Sequence, residues 1–145
     1  MHPELVLVVR LLAAAALAAL LGWEREYAGK PAGLRTHMLV GIGSALYTVI
    51  AELSVAEIPS SAEGFQADPI RVIQAVAIGI GFLGSGVIFV SRHEDRVRGL
   101  TTAASIWATA AIGMASGLGY YVLAVSATVL LLVVLRILVR FDARD

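Results

Sequence analysis

No cysteine occurs in this chain of 145 residues, which excludes disulfides, thiolate metal sites and cysteine nucleophiles and leaves the redox compartment undetermined. Charge is also scarce: Asp, Glu, Lys and Arg make up 15% of the residues and cancel to no formal net charge. The few Lys and Arg form no basic stripe with interleaved aromatics, so no nucleic-acid partner is expected. A Ser/His/Asp ordering, a P-loop and a metalloprotease motif are all missing from the sequence, and the chain is therefore expected not to be an enzyme and to need no cofactor. What is abundant is apolar. Hydrophobic residues make up 59% of the chain, and the mean hydropathy of +0.85 lies well above that of a water-soluble domain.

The scarce charge sits mostly in short clusters that interrupt apolar runs: GWEREYAGKPAGLRTH at 22–37, DPIRVIQ at 68–74 and SRHEDRVRGLTTAASIW at 91–107. Charge confined to the ends of apolar runs belongs at a lipid boundary or inside a helix bundle. Runs of about 18 apolar residues fall at 5–22, 37–53, 70–90, 100–115 and 120–139. They predict an all-α integral membrane bundle of about five transmembrane helices, forming one domain over 1–145 with no soluble domain after the last span. The fourth run is the shortest and most polar, with Thr101, Thr102, Ser105 and Thr109. It either spans or forms a re-entrant or bundle-buried helix, its hydroxyls bonding back to the preceding turn.

Orientation follows from the Lys and Arg of the connections. Arg25, Lys30 and Arg35 lie in the first connection, Arg92, Arg96 and Arg98 in the third, and Arg136, Arg140 and Arg144 at the carboxyl end; the second connection holds Glu57, Glu63 and Asp68 with no Lys or Arg. That alternation puts the amino terminus outside and the carboxyl terminus in the cytoplasm. The competing reading makes Arg10 the positive end of a signal peptide with LLAAAALAALL as its core.

Local signals mark the helix ends. Asp68 before Pro69 reads as an N-cap followed by proline at the first helical position. Pro31, Ala32 and Gly33 break the chain, Thr36 is placed to cap the second helix, and Gly117 and Gly119 fit a tight helical hairpin. GIGFLGSG at 79–86 matches the G-x-G-x-x-G spacing of a dinucleotide loop, but it has no strand before it. Close helix packing fits it better: Ala77, Gly81 and Ser85 share one face and Ala75 and Gly79 the next, with Gly84 and Gly86 beside them. Local unwinding that frees carbonyls for an ion is the other possibility.

The polar candidates divide by position. Glu24, Arg25 and Glu26 follow the first apolar run either as an interfacial collar or, since successive helical residues point about 100° apart, with one carboxylate facing the bundle and neutralised by Arg35 or an arginine of the third connection. Arg10 and Arg71 stand within apolar segments, with Asp68 three residues before Arg71 and Gln74 beyond it. That spacing allows an Asp68–Arg71 pair on one face, serving either register or function. His37 is a lone imidazole without a second ligand at metal spacing, and His2 and His93 have less support still. Whether any metal binds is left open.

Three blocks, GWEREYAGKPAGLRTHMLVGIGSAL, DPIRVIQAVAIGIGFLGSGVI and VRGLTTAASIWATAAIGMASGLGYY, resemble in order the membrane domain of the MgtC/SapB family, over about residues 11–127. The resemblance implies a multi-pass protein of the bacterial inner membrane, linked to growth in low magnesium, acid tolerance and survival inside host cells (virulence). For some members it implies restraint of the F-type ATP synthase, for others magnesium transport. It carries over Glu24, Arg25, Glu26, Lys30, Pro31, Gly33 and Arg35 from the first block. The second contributes Asp68, Arg71, Gln74, Gly79, Gly81, Gly84 and Gly86, and the third Gly99, Thr101 and Thr102. Many members continue into a soluble cytoplasmic domain, whereas this sequence ends six residues past the last span. Two functions follow as expectations. One is a non-enzymatic membrane regulator; the other is a carrier of magnesium, another cation or protons, for which so small a bundle would need a homodimer.

Overall fold

In a computed structural model of the chain, the residues described are 3–56, 68–90 and 98–137. Five α-helices follow one another: α1 (Pro3–Tyr27), α2 (Leu34–Ala56), α3 (Pro69–Val90), α4 (Leu100–Gly117) and α5 (Tyr121–Ile137), with no strand among the described residues. Three are long and apolar enough to cross a membrane, over Glu4–Tyr27, Leu34–Ala56 and Ile70–Ile88, and α5 is a shorter apolar helix. His2, Glu57, Glu63, Arg92, His93, Arg96, Arg140 and Arg144 lie outside the described residues.

The helix ends follow from local chemistry. Asp68 Oδ1 accepts the Ile70 N–H at 2.9 Å, the N-cap role expected of it. At the end of α1, Gly29 is left-handed (φ 66°), with Lys30 N–H bonded to Arg25 O and Gly29 N–H to Glu26 O, both 3.0 Å. This is the Schellman pattern, in which a residue without a Cβ reverses the chain at no steric cost. The same pattern closes α4: Gly119 (φ 80°) donates to Ser116 O at 3.0 Å and Tyr120 to Ala115 O at 2.8 Å. Thr36 is not the cap of α2. The helix already begins at Leu34, whose N–H donates to Glu26 Oε2 at 2.8 Å, so a carboxylate from the previous helix does what a local hydroxyl was expected to do.

The most polar helix is the central one. α4 touches α1, α2, α3 and α5 and buries Thr102, Ser105, Thr109 and Ser116 together with Ile106 and Ile112. Its hydroxyl-bearing face is turned into the bundle. Three of these hydroxyls bond to their own backbone, Ser105 to Thr102 O at 2.8 Å, Thr109 to Ser105 O at 2.7 Å and Ser116 to Ile112 O at 2.9 Å, so they need no water. The outer surface is the reverse: Val122 is 84% exposed, Phe82 78% and Leu39 72%. An apolar exterior around a hydroxyl-lined interior suits a lipid solvent, where small and hydroxyl side chains let helices approach and hydrogen-bond.

The closest approaches occur where small residues of α1, α2 and α4 meet. A Cβ on Gly41 would lie 2.6 Å from Ala18 Cβ, one on Gly113 3.0 Å from Gly41 Cα and one on Gly117 2.6 Å from Ala45 O. The glycine run of α3 behaves differently from expectation. Gly84 packs on Ala103, with a built Cβ 3.4 Å away, but Gly79, Gly81 and Gly86 meet nothing within 4 Å, and Ser85 is exposed. Of the four glycines of this run, only Gly84 packs closely within one chain, and Ala77 beside them is half-buried. α3 leans on the bundle through Val76, Ile80 and Val87, which pack against the cluster of Ala32, Val40, Ile106 and Ala110, and this turns the other glycines away from it.

Candidate functional site

At the end of the bundle where α1 meets α2, α1 continues as a helix through Trp23–Tyr27 and so carries Glu24 and Arg25 into the interior. Glu24 is 8% exposed and Arg25 1%. The Arg25 guanidinium holds the Glu24 carboxylate with two bonds, Nε–H to Oε2 and Nη2–H to Oε1 at 2.7 Å. The carboxylate does face the bundle, but its counter-charge is its own neighbour and not Arg35, which is exposed. Adjacent helical side chains do not face each other; the long arginine stem folds back to bridge the angle. Arg25 Nη1 is buried without a hydrogen-bond partner among the described residues.

His37, fully buried on α2, joins this pair. Its Nδ1–H donates to Gly33 O at 2.9 Å, and Nε2 lies 3.2 Å from Ser105 Oγ on α4. Ser105 Oγ in turn lies 2.8 Å from Thr102 O. Because Gly33 O only accepts, Nδ1 carries a proton and Nε2 is the variable nitrogen. A neutral ring accepts a hydrogen bond from the Ser105 hydroxyl at Nε2. An imidazolium instead donates to Ser105 Oγ, whose hydroxyl then donates to Thr102 O. The direction of hydrogen bonding between α2 and α4 can therefore reverse without moving a helix. The ring serves as an interhelical hydrogen-bonding group, and among the described residues no three His, Asp or Glu side chains are grouped as metal ligands.

Glu26, on the exposed side of the same helical turn, anchors the start of α2. A Cβ on Gly33 would lie 2.6 Å from Glu26 Oε2, so the glycine leaves room for the carboxylate in this position. Glu26→Ala is expected to cost about 0.5–2 kcal/mol, the range for loss of a helix cap, while Glu26→Gln retains an acceptor and most of the stability. Thermal unfolding in detergent distinguishes the two.

A second ion pair closes the opposite end. Arg10 Nη1–H donates to Glu52 on α2 and to Gly117 O at 3.1 Å, so one guanidinium ties α1, α2 and the α4–α5 turn together. Neither Glu52 nor this three-way contact was evident from the sequence. Asp68, Arg71 and Gln74 are exposed at the start of α3, and among the described residues no side-chain pair joins Asp68 to Arg71. Thr102 is buried beside the Ser105–His37 contact, whereas Thr101 is exposed. The expected polar cluster is thus divided between two ends, with Glu24, Arg25 and Thr102 in one buried site that also includes His37 and Ser105. The glycines that bring α2 against α4 carry a legible signal: Gly113 and Gly117 are four residues apart, as are Gly41 and Ala45, the small-xxx-small spacing of membrane helix crossings.

Apolar surface outside and paired charge and hydroxyls inside define a helical membrane protein. The chain belongs to the MgtC family, whose sequence pattern matches residues 11–144. It is 43% identical over 130 residues to YhiD of Escherichia coli, whose name proposes a magnesium transporter; the match covers 90% of this chain and 59% of that protein. It is 41% identical over 125 residues to protein MgtC of Salmonella typhimurium, covering 86% of this chain and 49% of that one. An uncharacterized protein of Haemophilus influenzae is 38% identical over 134 residues, covering 92% and 56%. The chain spans roughly half to three-fifths of the length of these relatives. No solved structure matches.

Proposed function

We propose that this chain is a multi-pass protein of the bacterial inner membrane, crossing it about five times with its amino terminus outside, and that it acts without catalysis by docking on the transmembrane helices of a membrane partner. The F-type ATP synthase is the partner to test, because the family resemblance implies it, and adaptation to low magnesium or acid is the setting. The observation that carries this reading is the pairing of two carboxylates: the buried Glu24 is held by Arg25 and the half-exposed Glu52 by Arg10. Such pairs fix helix register, whereas an ion carrier needs a carboxylate free to bind and release its cargo. The outward Gly81 and Ser85 of α3 offer a small-residue face on which a foreign helix can pack.

The second reading is a magnesium, other cation or proton carrier working as a homodimer. The name of the Escherichia coli relative and the buried Glu24, His37 and Ser105 column favour it. Reconstitution into liposomes with entrapped magnesium and pH indicators separates the two. The expected result is no flux above empty vesicles, together with capture of ATP synthase from solubilised membranes that Gly81→Leu weakens. Flux abolished by Glu24→Gln in folded protein would establish the carrier and overturn the regulator.

A further inference from the structure

α2 and α3 do not close against each other along their whole length. Between them runs a groove of about 630 Å³, walled by Leu39, Val40 and Gly43 of α2 and by Val72, Ala75 and Gly79 of α3, among others. The volume lies in the range of about 300–1,000 Å³ typical of small-molecule sites. The two helices are antiparallel, since Gly84 near the end of α3 meets Ala103 at the start of α4, which itself meets the start of α2 through Ser105 and His37. Leu39 and Leu83 therefore mark one end of the groove, and Tyr47 and Arg71 the other.

Three observations define what fits. First, the lining is apolar except at the Tyr47 and Arg71 end, apart from the Ser44 hydroxyl, and Arg71 is its one charged residue. Second, the Arg71 guanidinium has no ion pair or hydrogen bond among the described residues, and Asp68, one turn away, uses Oδ1 on the Ile70 N–H. Third, a Cβ on Gly43 or Gly79 would meet nothing within 4 Å, so the floor of the groove is left unused by the chain itself. From Arg71 to Leu83 the wall runs twelve residues, roughly 18 Å at about 1.5 Å per residue, a little more than one leaflet of a hydrocarbon core of about 30 Å. Arg71 is the second residue of the apolar span Ile70–Ile88, and the ends of a span that crosses the hydrocarbon core lie near the head groups.

We infer that this groove binds an anionic glycerophospholipid, one acyl chain lying between α2 and α3 and its phosphate paired with Arg71. A guanidinium matches phosphate oxygens with two parallel bonds and is more weakly hydrated than an ammonium. A second copy of the chain is a poorer fit. The apolar faces of its helices bring no charge to Arg71, whereas a glycerophospholipid carries its own phosphate.

The test is native mass spectrometry of the full chain released from mild detergent, with phosphatidylglycerol and phosphatidylcholine of identical acyl chains. Phosphatidylglycerol is expected to bind about tenfold more tightly, the preference an arginine–phosphate pair relieved of a competing choline cation can supply. Arg71→Gln should bring the two lipids level. Gly79→Leu and Gly43→Leu should fill the groove and weaken both lipids, with an unchanged thermal midpoint because each new side chain enters open space. Equal binding of the two lipids to the unaltered chain, or undiminished binding to both leucine variants, would overturn the assignment. A dimer seen in the same spectra and lost in Gly79→Leu, with lipid binding unaffected, would give the groove to a second copy.

Discussion

Replacing Gly113 by leucine is expected to abolish the folded bundle, while the same substitution at Gly81 leaves it intact. A Cβ on Gly113 already overlaps the backbone of Gly41, its Cα 3.0 Å away, and Gly41 in turn is pressed on Ala18. The obstruction is backbone against backbone, so no rotamer change relieves it, and α2 and α4 must separate along a seam that also contains Ala45 and Gly117. Overpacking a well-filled core ordinarily costs about 1–3 kcal/mol. Here the whole α2–α4 contact is lost, and the cost exceeds that range. Gly81→Leu places its side chain where nothing lies within 4 Å. Size-exclusion profiles and thermal aggregation midpoints in detergent provide the comparison; a monodisperse Gly113→Leu protein with an unchanged midpoint would show that the seam is not under compression.

The second large effect is expected at the Glu24–Arg25 pair. Removing one partner of a buried ion pair leaves the other charge without compensation and costs about 3–5 kcal/mol. Arg25→Leu strands the Glu24 carboxylate, and Glu24→Leu strands a guanidinium that is 1% exposed and already has one nitrogen unpartnered. The double variant Glu24→Leu with Arg25→Leu removes both charges and is expected to unfold closer to the unaltered protein than either single variant. A double-mutant cycle from denaturant titrations measures this coupling, and additive single effects would show that the two side chains do not depend on each other. A double variant that is stable but fails to capture a membrane partner would separate a functional role of the pair from its structural one.

Much of the architecture is legible in the residues. Asp68 and Pro69 mark the start of α3 because capping is a contact over two residues, and Gly119 marks the α4–α5 reversal because a left-handed backbone favours glycine locally. The charged partners were less legible. Helical spacing favours pairs three or four residues apart, and so pointed to Asp68 with Arg71 and to Glu24 with a distant arginine. The structure instead pairs Glu24 with Arg25, adjacent in sequence, and Arg10 with Glu52, 42 residues apart. Side-chain length and helix crossing decide both, and neither is written in periodicity. His37 illustrates the same limit, since its meaning depends on Ser105, 68 residues further on.

By itself the sequence determined the class of molecule: runs of apolar residues long enough for lipid, charge held at their ends, breakers between them, and family blocks in order. Those properties depend on composition and on neighbours along the chain. Only the tertiary structure decided which face of each helix turned inward. Four of the glycines that stand together in α3 look most like a packing seam, yet three of them, Gly79, Gly81 and Gly86, face open space, while Gly41, Gly113 and Gly117 carry the crossing. The reason is that a small residue permits close approach without requiring it. Whether a neighbour arrives depends on how five helices share one interior, and α4, with its buried hydroxyls, takes the centre because lipid is the poorest solvent for them.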